Sequence, residues 1–131
     1  MTLGEVLIVI AAIESGGDYA AYNAKEEAVG LLQIRQCVLD DVNRVYGASY
    51  HQTDCFSRLT SAKIAKQYIY LWCNHEKVGR SVTVADAVRI WNGGPTGWAK
   101  DSTRKYLEKF MKEAVNKGHN KEEIISAIEG Y

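Results

Sequence analysis

The sequence predicts a mainly α fold with at most one small β-hairpin. Three observations predict it. Apolar residues recur every three or four positions in six separate stretches, glycines or capping residues bound those stretches, and a single proline interrupts the chain. At 131 residues, 47% hydrophobic and 24% charged, the composition is that of an ordinary globular protein with one core. Residues 1–131 are therefore read as a single domain.

Residues 3–15 form the first expected helix. Leu3, Leu7, Ile10, Ala11 and Glu14 share one face, and Gly16 and Gly17 follow as residues that end helices cheaply. Residues 17–29 keep no sustained period and read as a loop or short β-like excursion. A second helix is expected over residues 30–46, where Leu31, Ile34, Val38, Val42 and Val45 step by three or four before Gly47. After a loop over 47–56, a third covers roughly 58–78, with a broad apolar face from Ala62 to Trp72.

The fourth helix starts at Thr83, a good N-cap with Asp86 in the first turn, and stops at "NGGP" (92–95). A fifth spans 102–116, with Tyr106, Leu107, Phe110, Met111 and Ala114 inward. Asn120 and Glu123 form a capping pattern for a last short helix carrying Ile124, Ile125 and Ile128.

Sixteen basic residues balance sixteen acidic ones, which argues against a nucleic-acid binder, whose footprint is a basic excess on one face. Cys37, Cys55 and Cys73 are an odd set without zinc or redox spacing. One disulfide with a spare thiol is open to them, but reduced and mostly buried thiols are the simpler reading. The three histidines are scattered, so no metal is expected. The apolar opening "MTLGEVLIVIAAI" lacks a basic leader and the length to span a bilayer.

Glu14 is the residue that needs explaining. Its place on an apolar stripe implies desolvation, and its place in the last helical turn sets it at the negative end of the helix dipole. Both favour the neutral acid and raise its pKa. A carboxylic acid tuned this way can deliver a proton near neutral pH. On spacing alone, a solvated glutamate or a partner for a nearby lysine or backbone group is the commoner reading of such a position.

"IESGGDYAAYN" (13–23) followed by "AVGLLQI" (28–34) resembles the paired signature of the transglycosylase SLT family, lysozyme-like enzymes related to goose-type lysozymes. In that pattern a helix ends in Glu-Ser, and a Gly-Leu-Met-Gln-Ile segment opens the next helix. "AVRIWNGGPTGW" (87–98) resembles the third motif of the family, and "STRKYLEKF" (102–110) its Thr-x-x-Tyr element. The ordered set spans residues 13 to 110.

The resemblance implies a lysozyme-like helical domain with a groove for peptidoglycan glycan strands and no cofactor. It implies that Glu14 is the catalytic acid and that Ser15 supports the turn or lines the groove. Gly30 would let the loop approach the sugar, and Gln33 would line a subsite where its amide can donate to and accept from an N-acetyl group. Asn92 matches the motif asparagine, and Tyr106 the tyrosine that closes the cleft. Trp91 stands where the family has a tyrosine. It donates but cannot accept or titrate, so any tyrosine hydroxyl role falls to Tyr106 or Tyr22. Leu32 replaces the motif methionine at similar volume.

Lytic transglycosylases and lysozymes both cleave the β-1,4 bond from N-acetylmuramic acid to N-acetylglucosamine. A hydrolase drawing water from the opposite face needs a second carboxylate, for which Glu26 and Glu27 are the candidates. A transglycosylase needs none, because the ionised glutamate takes the proton of the sugar's own 6-hydroxyl. The expected activity is transglycosylation, giving 1,6-anhydro-muramyl ends. Hydrolysis is the alternative, and a non-catalytic glycan-binding domain is the alternative of another class. The expected partner is peptidoglycan, with no nucleic acid and no transmembrane segment, and the expected state is a monomer. Without an export signal, the chain reads as a phage-encoded enzyme released onto the wall or carried on the virion, or as a domain cut from a larger exported protein.

Overall fold

The computed structural model describes residues 1–131. Its order is α1 (Leu3–Ser15), β1 (Tyr22–Asn23), β2 (Ala28–Val29), α2 (Gln36–Tyr46), a 3-10 turn at Gln52–Phe56, α3 (Arg58–Trp72) and α4 (His75–Val78). Then come α5 (Val84–Gly93), 3-10 turns at Gly97–Ala99 and Asp101–Thr103, α6 (Arg104–Asn116) and α7 (Lys121–Ile125). The fold is mainly α, and its only sheet is the antiparallel hairpin pairing Tyr22 with Val29 and Asn23 with Ala28. The chain forms two compact units, Ala11–Tyr68 and Met1–Ile10 with Ile69–Tyr131.

In the Ala11–Tyr68 unit, α1 ends where expected. Gly16 and Gly17 take φ of 65° and 83°, and their N–H groups donate to the Ala12 and Ala11 carbonyls at 3.1 and 3.2 Å. The hairpin is the β-like excursion. Val38, Leu39 and Val42 of α2 are buried, while Val45 is exposed, so that stripe stops one turn before the helix does. The Ser61 hydroxyl, fully buried, donates to the Cys55 carbonyl at 2.6 Å and ties the 3-10 turn to α3.

Two helix expectations are corrected. The second helix begins at Gln36, not Gly30, because residues 30–33 form a tight turn. Gly30 (φ 80°) and Gln33 (φ 53°) lie in the left-handed region, and Val29 and Ile34 exchange backbone hydrogen bonds of 3.0 and 2.9 Å across it. The third helix breaks at Cys73–Asn74. The Asn74 side chain donates to the Tyr70 and Leu71 carbonyls at 3.0 and 3.1 Å and accepts from Lys77 N–H at 3.0 Å, closing α3 and capping α4.

In the other unit, both predicted caps form as reciprocal capping boxes, Thr83 with Asp86 and Asn120 with Glu123. Helices α5, α6 and α7 pack on one another, burying Ile90, Phe110, Ala114 and Ile124. Ile124 is buried while Ile125 is 66% exposed, because α7 offers the core only one face. Asp86 is buried and held by the Arg80 guanidinium at 2.8 and 3.0 Å. Burial pushes its carboxyl up, but the Arg80 and Thr83 hydrogen bonds outweigh that and hold it below the usual range. No helix is long and apolar enough to cross a membrane.

Candidate active site

The residues singled out from sequence divide between the two units. Glu14, Ser15, Glu26, Glu27, Gly30 and Gln33 belong to Ala11–Tyr68, and Trp91, Asn92 and Tyr106 to the other.

Glu14 is half-buried in the last turn of α1. Its neighbour Ser15 carries the connection. The Ser15 hydroxyl donates to the Leu31 carbonyl at 2.7 Å, and its oxygen accepts from Asp18 N–H at 3.1 Å. One side chain thus joins the helix end to the turn of residues 30–33 and shapes the exit after Gly17.

That turn is built for close approach. A Cβ on Gly30 would lie 1.9 Å from the Cys55 carbonyl oxygen, so no other residue fits there, whatever its φ preference. The Gly30 N–H donates to the Ala21 carbonyl at 2.8 Å. The Gln33 side-chain amide faces the Gly30 and Ala21 carbonyls at 3.0 and 3.4 Å. Both are acceptors, so its NH2 group must be the one directed at them. Only its carbonyl oxygen remains for another molecule, which narrows the two-way role expected of it to that of an acceptor.

Glu26 and Glu27 sit exposed in the hairpin loop. The Asn23 carboxamide oxygen accepts from Glu26 N–H at 3.2 Å, and Glu27 adopts a left-handed φ of 52°. The Glu26 carboxylate pairs with the Arg35 guanidinium, and the Glu27 carbonyl accepts from the Gln52 amide at 2.6 Å. The other nearby acids are engaged elsewhere. Asp18 Oδ1 accepts from Ala20 N–H at 2.9 Å, Asp40 from the Gln36 amide at 2.9 Å, and Asp41 pairs with Arg44 at 3.2 Å.

In the second unit, Trp91 and Asn92 end α5, half-buried and exposed respectively, and Tyr106 is half-buried in the first turn of α6. The "NGGPTGW" segment between them is a tight joint. A Cβ on Gly97 would meet the Arg89 carbonyl at 2.1 Å, and one on Gly93 would meet Thr103 Cγ2 at 2.4 Å. Arg89 donates to Thr103 Oγ1 at 2.8 Å and to the Lys100 carbonyl at 2.7 Å, while Lys100 Nζ donates to the Gly93 carbonyl at 2.7 Å. Thr103, from the Thr-x-x-Tyr element, is buried and acts as the peg of this joint. Arg89 gave no sequence signal, because its partners lie 11 and 14 residues away. The Glu26–Arg35 pair was equally hidden, since only the hairpin brings position 35 beside position 26.

Of the three cysteines, Cys55 and Cys73 are buried, as expected, whereas Cys37 is exposed. Cys37, Cys55 and Cys73 are free thiols. Burial pushes Cys55 up to about 11, with Asp54 adding to it, and Cys73 up to about 12, with Asp86 adding to it. Neither is a thiolate nucleophile at neutral pH. No group of three or more His, Cys, Asp or Glu side chains is placed to hold a metal ion.

The order of elements, a helix ending in an acid followed by a small hairpin and a helical remainder, is that of a lysozyme-like helical fold. Among solved structures, the chain is similar to the lysozyme of Tapes japonica, with a TM-score of 0.70 at 21% identity over 86% of this chain and 92% of that one. It is similar in the same way to a chain in the complex of Aeromonas hydrophila PliI with Meretrix lusoria lysozyme (TM-score 0.70, 22% identity, 86% and 92% covered). The 70 kDa soluble lytic transglycosylase of Escherichia coli matches 94% of this chain with a TM-score of 0.68 at 15% identity, and the chain spans 23% of that enzyme. At these identities the likeness is one of fold. No protein-family profile matches the chain, and no curated protein matches it in sequence.

Proposed function

We infer that the chain is a peptidoglycan-cleaving muramidase acting on the β-1,4 bond between N-acetylmuramic acid and N-acetylglucosamine, with Glu14 as its acid. The observation that carries this reading is the Ser15–Leu31 hydrogen bond. It ties the helix end bearing Glu14 to the turn bearing Gln33, within a fold otherwise similar to lysozymes and a lytic transglycosylase. Glu14 sits half-buried in the last turn of α1, where a general acid has to be partly screened from water yet open to substrate.

In this account Glu14 gives its proton to the glycosidic oxygen as the C1–O bond breaks, and the N-acetylglucosamine leaves as an alcohol. Glu14, now ionised, takes the proton of the muramyl 6-hydroxyl. That oxygen then bonds C1 and closes a 1,6-anhydro ring, with no water consumed. Gln33 Oε1 accepts from an acetamido N–H of the bound sugar. Transglycosylation is favoured over hydrolysis because the Glu26 carboxylate is occupied by Arg35, and the Glu27 backbone is held by Gln52 with its side chain in an exposed loop.

Residues 1–131 act as one catalytic domain on the cell wall, reached through phage release or a virion, or as part of a larger exported protein. Mass analysis of the muropeptides from digested sacculi tests the reaction. Ends lighter by one water than reducing ends are expected, and reducing ends alone would overturn transglycosylation in favour of hydrolysis.

A further inference from the structure

A cavity of about 310 Å3 opens beside the hairpin, lined by Tyr22, Val29, Gln52, Thr53 and Phe56. None of residues 13–17 or 30–33 lines it. Tyr22 and Val29 are direct partners across the hairpin, so their side chains leave the same face. The opposite wall is the Gln52–Phe56 turn. It is fixed there by the Gln52 amide on the Glu27 carbonyl and by the close approach of Gly30 to Cys55.

Two features of the lining point to a ligand class. Tyr22 and Phe56 keep 57% and 38% of their surface in water, although burial is the ordinary fate of aromatic rings. The polar groups are neutral and available. One Gln52 N–H is spent on Glu27, which fixes the amide and leaves its carbonyl oxygen as an acceptor and its second N–H as a donor, and the Thr53 and Tyr22 hydroxyls bond no protein group. No charged side chain lines the cavity, so an ionised peptide would find no partner in it. An uncharged ring with an apolar face, hydroxyls and an amide N–H matches each wall. The volume, at the low end for ligand pockets, suits one such ring.

We propose that this cavity is a separate subsite for one N-acetylated amino sugar of the glycan strand, stacked on Tyr22 or Phe56, with its amide N–H donated to Gln52 Oε1. The identity of the strand rests on the muramidase reading, whereas sugar binding at the cavity does not. The test combines amide NMR of the full chain, titrated with an N-acetylglucosamine oligomer, with kcat and KM on soluble glycan strands for wild type, Thr53→Val and Phe56→Ala. Thr53 is exposed and its replacement has the same shape, so that variant reports binding even if Phe56→Ala melts early. Amides of residues 22 and 52–56 should move on titration. Each folded variant should raise KM about threefold to tenfold, with kcat held within about twofold. Still amides in the wild type, or an unchanged KM in Thr53→Val and in any folded Phe56→Ala, overturn the subsite while leaving cleavage at Glu14 standing. A wild type that cleaves nothing overturns the muramidase reading instead. The titration then decides the cavity alone, for it if Thr53→Val weakens the shifts and against it if there are none.

Discussion

The Ser15 hydroxyl lies 2.7 Å from the Leu31 carbonyl oxygen, 16 residues further along the chain. Through that bond, the helix that carries Glu14 and the turn that carries Gln33 take one fixed relation. A neutral hydrogen bond of this kind contributes about 1 kcal/mol net, and its loss leaves a part-buried carbonyl without that donor. Ser15→Ala is therefore expected to lower the urea unfolding free energy by about 1–2 kcal/mol. Wall-cleaving kcat should fall by more than the small loss of folded protein accounts for.

Gly30 carries a harsher constraint. With its would-be Cβ 1.9 Å from the Cys55 carbonyl and φ at 80°, Gly30→Ala must displace backbone on both sides. The expected cost is about 3 kcal/mol or more, read as a fall in the urea midpoint at constant m. Gly16→Ala, with the same sign of φ but open space around it, should cost only about 1 kcal/mol.

The ion pair between Glu26 and Arg35 separates the two reactions. If Glu14 works alone, Glu26→Gln and Glu27→Gln each keep kcat within about threefold of wild type, since solvated ion pairs contribute little. Their products should still carry anhydro ends. A fall of about 100-fold or more in either variant would mark that carboxylate as the water-positioning base.

Acid should destabilise the fold through three carboxylates. Asp86 is held low by Arg80 and Thr83 against the opposing effect of burial. Glu5 is lowered by Thr2, and Glu123 by the Asn120 N–H and then His119. Each folded pKa lies below its unfolded value of 3.8 for Asp or 4.5 for Glu, so below about pH 4.5 the unfolded chain binds more protons than the folded one. The stabilisation is complete above that range and is lost as pH falls through the lower folded values. A melting temperature flat from pH 6 to 7 and falling below about pH 4.5 is expected, with a shallower fall in Asp86→Asn.

The helices were legible where local rules decide them. The Thr83–Asp86 and Asn120–Glu123 boxes act over three residues, and the glycine pair after Ser15 has no other low-cost use. The start of α2 was not legible. The period of Leu31, Ile34 and Val38 is as good a helix as any, and only the Val29–Ile34 bridge and the Cys55 carbonyl against Gly30 forbid it. The Asn74 break was readable in principle, as a capping residue five positions before the closing Gly79, but the apolar run leading into it masked the signal. For the proposed site, motif order only nominated the residues, and the way Gln33 faces and the partner of Glu26 depend on hairpin register, which no local pattern encodes.

The central claim is that Glu14 supplies the proton. The most direct test is release of soluble muropeptides from purified sacculi by wild type and Glu14→Gln, compared at matched circular dichroism and melting temperature. Loss of at least about 100-fold in rate, the share of a positioned general acid, is the predicted result. A folded Glu14→Gln that releases muropeptides at the wild-type rate would contradict the account.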